Sequence, residues 1–134
     1  MSLSVVYTRA AIGVKAPLIS VEVHLSNGLP GLTLVGLPET TVKEARDRVR
    51  SAIINSGYAF PAKKITINLA PADLPKEGGR YDLPIAIALL AASEQLNTSG
   101  LSSCEFVGEL ALTGALRGVP GAISGALEAI RAGR

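Results

Sequence analysis

The sequence is poor in the residues that build covalent cross-links and metal sites. Among its 134 residues there are one cysteine, one histidine and no tryptophan. Cys104 has no second cysteine with which to form a disulfide inside the chain, and with His24 it does not supply the spaced ligands of a zinc site. His24 has no nucleophile or metal ligand beside it, so we expect it to be a surface residue. This composition favours a reducing, intracellular compartment.

Long hydrophobic runs and a strong charge of either sign are also missing. No window approaches the roughly 18 apolar residues of a membrane span, and the opening MSLSVVYTRA lacks the basic segment and apolar run of a secretory signal. We therefore expect a cytoplasmic protein without a membrane partner. The formal net charge of +2 is too small to indicate nucleic-acid binding by itself, although it leaves room for a local basic patch.

What the sequence does contain is an abundance of aliphatic side chains. Hydrophobic residues make up 48% of the chain, which at this length is enough for one buried core, so we expect residues 1–134 to form a single domain. The hydrophobic periodicity predicts a strand, a hairpin, a helix, a strand, a helix, a strand and a helix, in that order. This order is typical of an α/β fold in which helices cover one face of a mixed sheet.

The predicted hairpin lies near the start of the chain. A half-buried strand is predicted from Leu18 onward, because apolar and polar residues alternate there without interruption. It runs into Asn27-Gly28, a strong signal for a two-residue β-turn, so we expect Leu32–Gly36 to return as the antiparallel partner. A separate strand is predicted for Leu3–Ile12.

A helix is predicted after the hairpin, with Thr41 and Glu44 at the spacing of a capping box and Gly57 as its stop signal. Its polar faces carry mostly basic side chains, which are Lys43, Arg46, Arg48 and Arg50. Two interpretations stay open. These residues support the helix through ion pairs at i, i+4, or they form a basic ridge for phosphate groups.

The stretch Lys63–Ala92 combines a strand, a charged loop and a strongly apolar helix, and the chain is organised around it. The loop concentrates five charged residues between the two apolar elements, which are Asp73, Lys76, Glu77, Arg80 and Asp82. Such a loop often carries a binding or catalytic site, and the alternative is a solvated connection. We expect Asp82 to cap the helix that follows.

The last third is predicted to hold a strand at Phe106–Thr113, a turn with a short strand at Ala115–Val119, and a helix at Gly121–Ala132. The helical pattern is still running near Arg134, and no closing cap follows it. We therefore expect the sequence to be truncated before a further module.

Three segments of the sequence resemble one protein family. They read NLAPADLPKEGGRYDLPIAIALLAA, GLPGLTLVGLPETTVKEARDRVRSAIINSGY and VGELALTGALRGVPGAISGALEAI. They are similar to the amino-terminal domain of the ComM/YifB family, magnesium-chelatase-like AAA+ ATPases in which this domain resembles the proteolytic domain of Lon. The resemblance covers nearly the whole chain. It implies the ribosomal protein S5 domain 2-like fold, with its left-handed βαβ crossover.

The resemblance also implies a function for the full-length protein, namely ATP-dependent DNA branch migration in natural transformation. It implies ATP and Mg²⁺ as cofactors of a downstream AAA+ module, DNA as a partner, and a homo-oligomer that is hexameric when full-length. The present chain would be a non-catalytic accessory domain without a cofactor of its own. In agreement with that role, it contains no G-x-x-x-x-G-K-[ST] phosphate-binding loop.

The likeness to Lon raises the question of peptidase chemistry. Lon-type proteases carry a serine nucleophile in PKDGPSAG and a lysine base after a GEI-containing motif. Laid on these motifs, the present sequence has Arg80 at the serine position and Ile123 at the lysine position. Neither side chain can replace the residue it stands for, so no catalytic residue is predicted. A Lon-like hydrolase with a rearranged site and a magnesium-chelatase-like subunit remain as alternatives, although no metal-ligand cluster supports the second.

The candidate site that remains would bind an anion, and we expect this anion to be the phosphate backbone of DNA. Gly78 and Gly79 can turn main-chain amides outward at the start of a helix, and nearby side chains add positive charge. A plain tight turn is the alternative. The predicted nucleic-acid or anion-binding residues are Lys63, Lys64, Lys76, Gly78, Gly79 and Arg80, and no metal site is predicted.

Overall fold

The computed structural model describes residues 2–74, 76 and 78–134. The strands among these residues are β1 (Leu3–Arg9), β2 (Leu18–Ser26), β3 (Gly31–Val35), β4 (Lys64–Ala70), β5 (Glu109–Leu110) and β6 (Leu116–Arg117). The helices are α1 (Glu39–Asn55), α2 (Asp82–Ala92) and α3 (Ala122–Arg131), with a short 3₁₀ turn at Leu101–Ser103. The predicted α/β class is confirmed.

The main sheet is mixed and has the strand order β1-β2-β4-β3. β3 is parallel to β4, and the other neighbours are antiparallel. The predicted hairpin of β2 and β3 is therefore wrong, because β4 lies between them and pairs its Ile67 with Val23 of β2 and with Leu34 of β3. Burial overrides the local turn signal here, since the central position lets β4 bury Ile67 completely. The parallel β3–β4 pair requires a crossover, which α1 provides.

The apolar face of the sheet and the two longer helices form the core. Val21, Ile67 and Leu69 are fully buried, and α2 packs across β1 and β2 while it also contacts α1. This position explains why α2 is apolar on most faces, as the sequence predicts. The Ser4 hydroxyl of β1 donates a hydrogen bond to the Ala88 carbonyl of α2 over 2.6 Å, which adds a polar tie to the packing.

The two ends of α1 differ in how well the sequence predicts them. The helix begins at Glu39, and Val42 N–H already donates to the Pro38 carbonyl. Thr41 is thus inside the helix, and the predicted capping box is wrong. Pro38 precedes the helix, and its ring fixes φ at −57°. No side chain caps this end of the helix. The predicted end is confirmed, because Gly57 follows the helix with φ of +88°.

The segment after α2 is more irregular than predicted. Within the range 106–113, only Glu109–Leu110 is in a strand, and it pairs with β6. Phe106 N–H instead donates to the Tyr7 carbonyl, which attaches this segment to the outer edge of β1.

α3 confirms the last predicted helix but contributes little to the core. None of its residues is buried. Ile123, Leu127 and Ile130 are 79%, 52% and 68% exposed, so the large apolar side chains of this helix face away from the sheet.

Asp82 is a buried carboxylate rather than the helix cap that the sequence predicts. It is 1% exposed and accepts hydrogen bonds from Nε and Nη2 of Arg48 over 2.7 and 3.2 Å. It also accepts one from the Leu110 main-chain N–H over 3.1 Å. No side chain caps α2, so the cap prediction is wrong. One carboxylate thereby connects α1, α2 and β5.

Burial and pairing act on this carboxyl group in opposite directions. Burial, the larger effect, raises the pKa of Asp82, while the hydrogen bonds from Arg48 and Leu110 oppose that change. The hydrogen bond to Asp82 raises the pKa of Arg48, so the guanidinium stays charged.

Removing one partner of this pair should be more costly than removing both. Asp82→Ala leaves the Arg48 guanidinium without its carboxylate and Leu110 N–H without an acceptor, so we expect the free energy of unfolding to fall by about 3 kcal/mol. Arg48→Met should cost a similar amount. The double variant should lose clearly less than the sum, because it leaves no charge unpaired. Urea denaturation measures all three, and additive losses would contradict a coupled pair.

The stability of the protein should also depend on pH through Asp82. Folding raises the pKa of Asp82 above its ordinary value of 3.8. At pH values between the ordinary and the raised pKa, the folded protein therefore holds the carboxyl proton more strongly than the unfolded chain does. The stability contributed by Asp82 is therefore fully present below that window and declines as pH rises through it. Urea denaturation across this range should show the decline in the wild type relative to the double variant, which lacks the carboxyl group. A difference that is constant or grows with pH would contradict the raised pKa.

Candidate functional site

The loop between β4 and α2 directs the side chain of Arg80 into the protein. Arg80 is only 7% exposed. Its Nε donates to the Arg9 carbonyl at the end of β1 over 3.2 Å, and its Nη1 donates to the Pro120 carbonyl just before α3 over 2.6 Å. The guanidinium therefore holds the loop, the first strand and the last helix together.

Lys76 is also buried, at 5% exposure, and its ammonium group donates to the Leu74 carbonyl over 2.9 Å. Burial lowers the pKa of Lys76, and the nearby charge of Asp73 opposes that change. Pro75 and Glu77, the second of which belongs to the predicted charged loop, lie outside the described residues.

The paired glycines of the loop serve its backbone path. Gly78 has φ of +80°, a conformation that side chains rarely allow. A Cβ on Gly79 would lie 2.7 Å from Cγ of Glu109, so a side chain there would require the Glu109 side chain to move. These constraints favour the tight-turn interpretation, and anion binding by the two amides stays a prediction.

Lys63 and Lys64 lie at the opposite end of β4 from this loop. Lys64 begins the strand and Ala70 ends it, and at ~3.3 Å per residue these ends are about 20 Å apart. The structure therefore does not bring the six predicted anion-binding residues together on one surface. Anion binding stays a prediction for each end separately.

Arg80 and the start of α3 are neighbours, so the two positions that the resemblance relates to the Lon dyad lie in one region. Nη1 of Arg80 bonds to Pro120, three residues before Ile123 in the chain. The Ile123 side chain is 79% exposed. Through its hydrogen bonds to the Arg9 and Pro120 carbonyls Arg80 acts as a structural clamp, and the absence of catalytic residues here stays a prediction.

A cleft opens beside Arg80, between the end of β1 and the small residues of α3, and Glu105 lines it. The Glu105 carboxylate accepts hydrogen bonds from Nε and Nη2 of Arg9 over 2.7 and 2.9 Å and from Nη1 of Arg134 over 3.2 Å. Arg134 also stacks on the Tyr7 ring, 4.4 Å from its centroid. Two guanidinium groups thus hold this carboxylate in place. Sequence reasoning missed it because its partner Arg9 is 96 positions away, and no local pattern links the two.

The structure divides the three arginines of α1 between two environments. Arg48 pairs with Asp82 over 2.7 Å and, more loosely, with Glu44 over 3.7 Å. Ion pairing is therefore confirmed for Arg48. Arg46 and Arg50 instead line a groove with Lys63.

The described ranges hold no group of three or more His, Cys, Asp or Glu side chains that could bind a metal ion. In the same part of the chain, no helix combines the length and the apolar character needed to cross a membrane. His24 and Cys104 are both exposed, as expected for a surface histidine and an unpaired cysteine.

The clamp formed by Arg80 can be tested by removing its donors. Arg80→Met keeps most of the aliphatic stem but deprives the Arg9 and Pro120 carbonyls of a charged donor, so we expect the free energy of unfolding to fall by about 3 kcal/mol. Arg117→Met, at an exposed residue of β6, is the control and should stay within about 0.5 kcal/mol of the wild type. Both are measured by urea denaturation. A loss at position 80 no larger than that of the control would contradict the clamp.

Comparison with known proteins places the chain in a family. Residues 21–134 match the family described as subunit ChlI of Mg-chelatase. Over its whole length the chain is 84% identical to the uncharacterized protein YifB of Salmonella typhimurium and 67% identical to competence protein ComM of Haemophilus influenzae. It is 38% identical over 133 residues to the uncharacterized protein Mb2921c of Mycobacterium bovis.

The chain covers 26% of the length of each of these relatives. The matches extend through the loop that contains Arg80 and through α3, so they include the whole region described above. The family match spans well over half of the chain and agrees with the resemblance seen in the sequence. The chain therefore belongs to the Mg-chelatase subunit ChlI family, in its ComM/YifB group.

Proposed function

We propose that this chain is a non-catalytic accessory domain of a longer, ComM-like AAA+ ATPase that promotes ATP-dependent DNA branch migration during natural transformation. Two findings support the proposal. The chain belongs to the ComM/YifB group, with 67% identity to a protein named for competence, and it spans 26% of that protein's length. The remaining length of such a protein provides room for the motor.

The environment of Arg80 is the observation that carries the non-catalytic part of the proposal. A nucleophile must be free to attack a substrate, whereas this guanidinium is buried and bonded to the carbonyls of Arg9 and Pro120. A guanidinium is permanently protonated, and the aliphatic Ile123 cannot accept a proton. In this part of the molecule we therefore assign Arg80 a positioning role for the fold and no role in bond cleavage.

ATP and Mg²⁺ would be bound elsewhere in the longer protein. The present sequence lacks a G-x-x-x-x-G-K-[ST] loop, and its described residues do not gather the carboxylates that could hold a metal ion. The residues of this chain thus do not fit either group, and we derive no step of ATP hydrolysis from them. The downstream AAA+ module, a hexameric assembly, a cytoplasmic location and DNA as substrate all belong to the proposal for the full-length protein.

The experiment uses the full-length protein encoded by the gene. We expect it to hydrolyse ATP faster in the presence of DNA and to move a labelled four-way DNA junction. Removing residues 1–134 should leave a measurable ATPase but impair junction movement, because the motor would lie outside the removed part. Arg117→Met within the intact protein is the matched control and should change neither activity.

The 134-residue chain alone, checked for its fold by circular dichroism, should cleave neither casein nor ATP. Peptide cleavage by the folded chain, whether it is retained or lost in Arg80→Met, would overturn the assignment of a non-catalytic domain. A full-length protein that does not act on DNA junctions would contradict the motor proposal.

A further inference from the structure

A groove between α1 and the beginning of β4 collects positive charge from two distant parts of the sequence. Arg46 and Arg50 lie one turn apart on α1, about 6 Å along the helix axis, and Lys63 directly precedes β4. Phe60 also lines this groove. We refer to Arg46, Arg50, Phe60 and Lys63 as the basic groove.

The cations of the basic groove are accessible, unlike those of the loop after β4. The Arg46 side chain is 42% exposed, and Arg50 and Lys63 are also exposed. In contrast, Lys76 and Arg80 are at least nine-tenths buried and bonded to main-chain carbonyls. A phosphate group from solution can therefore reach the cations of the groove more easily than those of the loop.

Few protein groups neutralise the groove. Arg46 has Asp47 at 3.8 Å, but that side chain is 63% exposed, and exposed pairs contribute little. Lys63 donates to the neutral Asn27 amide oxygen over 3.3 Å. Arg50 lies over the Phe60 ring at 5.7 Å, which orders its guanidinium without cancelling its charge. Among the described residues, the groove thus carries three positive groups against one weakly paired carboxylate.

We propose that the basic groove binds the phosphate backbone of single-stranded nucleic acid. Arg46, Arg50 and Lys63 contact successive phosphates, and the Arg50–Phe60 pair provides a flat surface on which one base stacks. An open groove that combines cations with an aromatic ring is the arrangement by which proteins hold single strands without reading their sequence. The inference rests on the proposed function, because a DNA motor would supply the single strand. It assigns the contact with that strand to a surface that lies away from Arg80.

The expected binding is weak and depends on salt. Three phosphate contacts predict a slope of about −2 when the logarithm of the binding constant is plotted against the logarithm of salt concentration for a single strand. The dissociation constant should be on the order of 10⁻⁴ M at physiological salt, typical of non-specific binding.

The test is a fluorescence-anisotropy titration of a labelled oligothymidylate at several salt concentrations, with the 134-residue chain. The groove variant carries Arg46→Gln, Arg50→Gln and Lys63→Gln. The control variant carries Lys15→Gln, Arg117→Gln and Arg131→Gln, which removes the same charge from exposed residues outside the groove. We expect the groove variant to bind at least about tenfold more weakly with a slope near zero, and the control to lose no more than about threefold with its slope retained. Thermal melting of both variants establishes that they are folded.

Three outcomes would overturn the inference. They are an equal loss in both variants, no binding by the wild-type chain at low salt, and equal or tighter binding to a duplex of the same length. The same substitutions in the full-length protein separate this inference from the proposed function. If junction movement and strand binding persist in the groove variant, the groove assignment fails while the motor proposal stands. If the wild-type protein binds single strands through the groove but does not move junctions, the motor proposal fails while the groove assignment stands.

Discussion

β4 is hydrogen-bonded along both of its edges, and the rest of the fold depends on that constraint. It separates β2 from β3, so the chain must cross from the end of β3 to the start of β4, and α1 makes this crossing. The crossing leaves different groups of charged residues at the two ends of the sheet. The basic groove lies where β3 and β4 begin, and the loop with Arg80 follows where β4 ends. The charged residues that the sequence analysis groups into one candidate site thus belong to two distant regions of the fold.

The buried carboxylate of Asp82 binds one of the cations of α1. It binds Arg48 on the side of the helix that meets α2, and Arg46 and Arg50 remain on the side that faces solvent. Helical periodicity places Arg46 and Arg50 on one face and Arg48 on another, but it cannot show that Arg48 meets a buried carboxylate 34 positions away. The same helix therefore stabilises the core through one guanidinium and leaves two others accessible to solvent.

Hydrophobic periodicity was predictable from neighbouring residues, whereas the local cap and turn signals failed and contacts between distant residues were hidden. The alternation in β2, the apolar face of α2 and the stop of α1 at Gly57 follow from local periodicity and backbone preference. The hairpin predicted from Asn27-Gly28 did not form, because burying β4 between β2 and β3 stabilises the fold more than direct pairing of β2 with β3 would. The inward direction of Arg80 was equally hidden, since its acceptors come from segments 71 and 40 positions away. Anion binding by the predicted residues stays a prediction, and the fold shows where each described residue of that set lies.

α3 is attached in a way that differs from every other long element of the fold. Polar ties flank it, from Arg80 to Pro120 on one side and from Arg134 to Glu105 on the other, and between them it buries no residue. A helix held in this manner can separate from the body while the sheet and α2 keep their packing, because no core side chain leaves with it. We therefore expect two levels of cooperativity: a hydrophobic unit that unfolds as a whole, and α3, whose opening depends mainly on a few guanidinium hydrogen bonds.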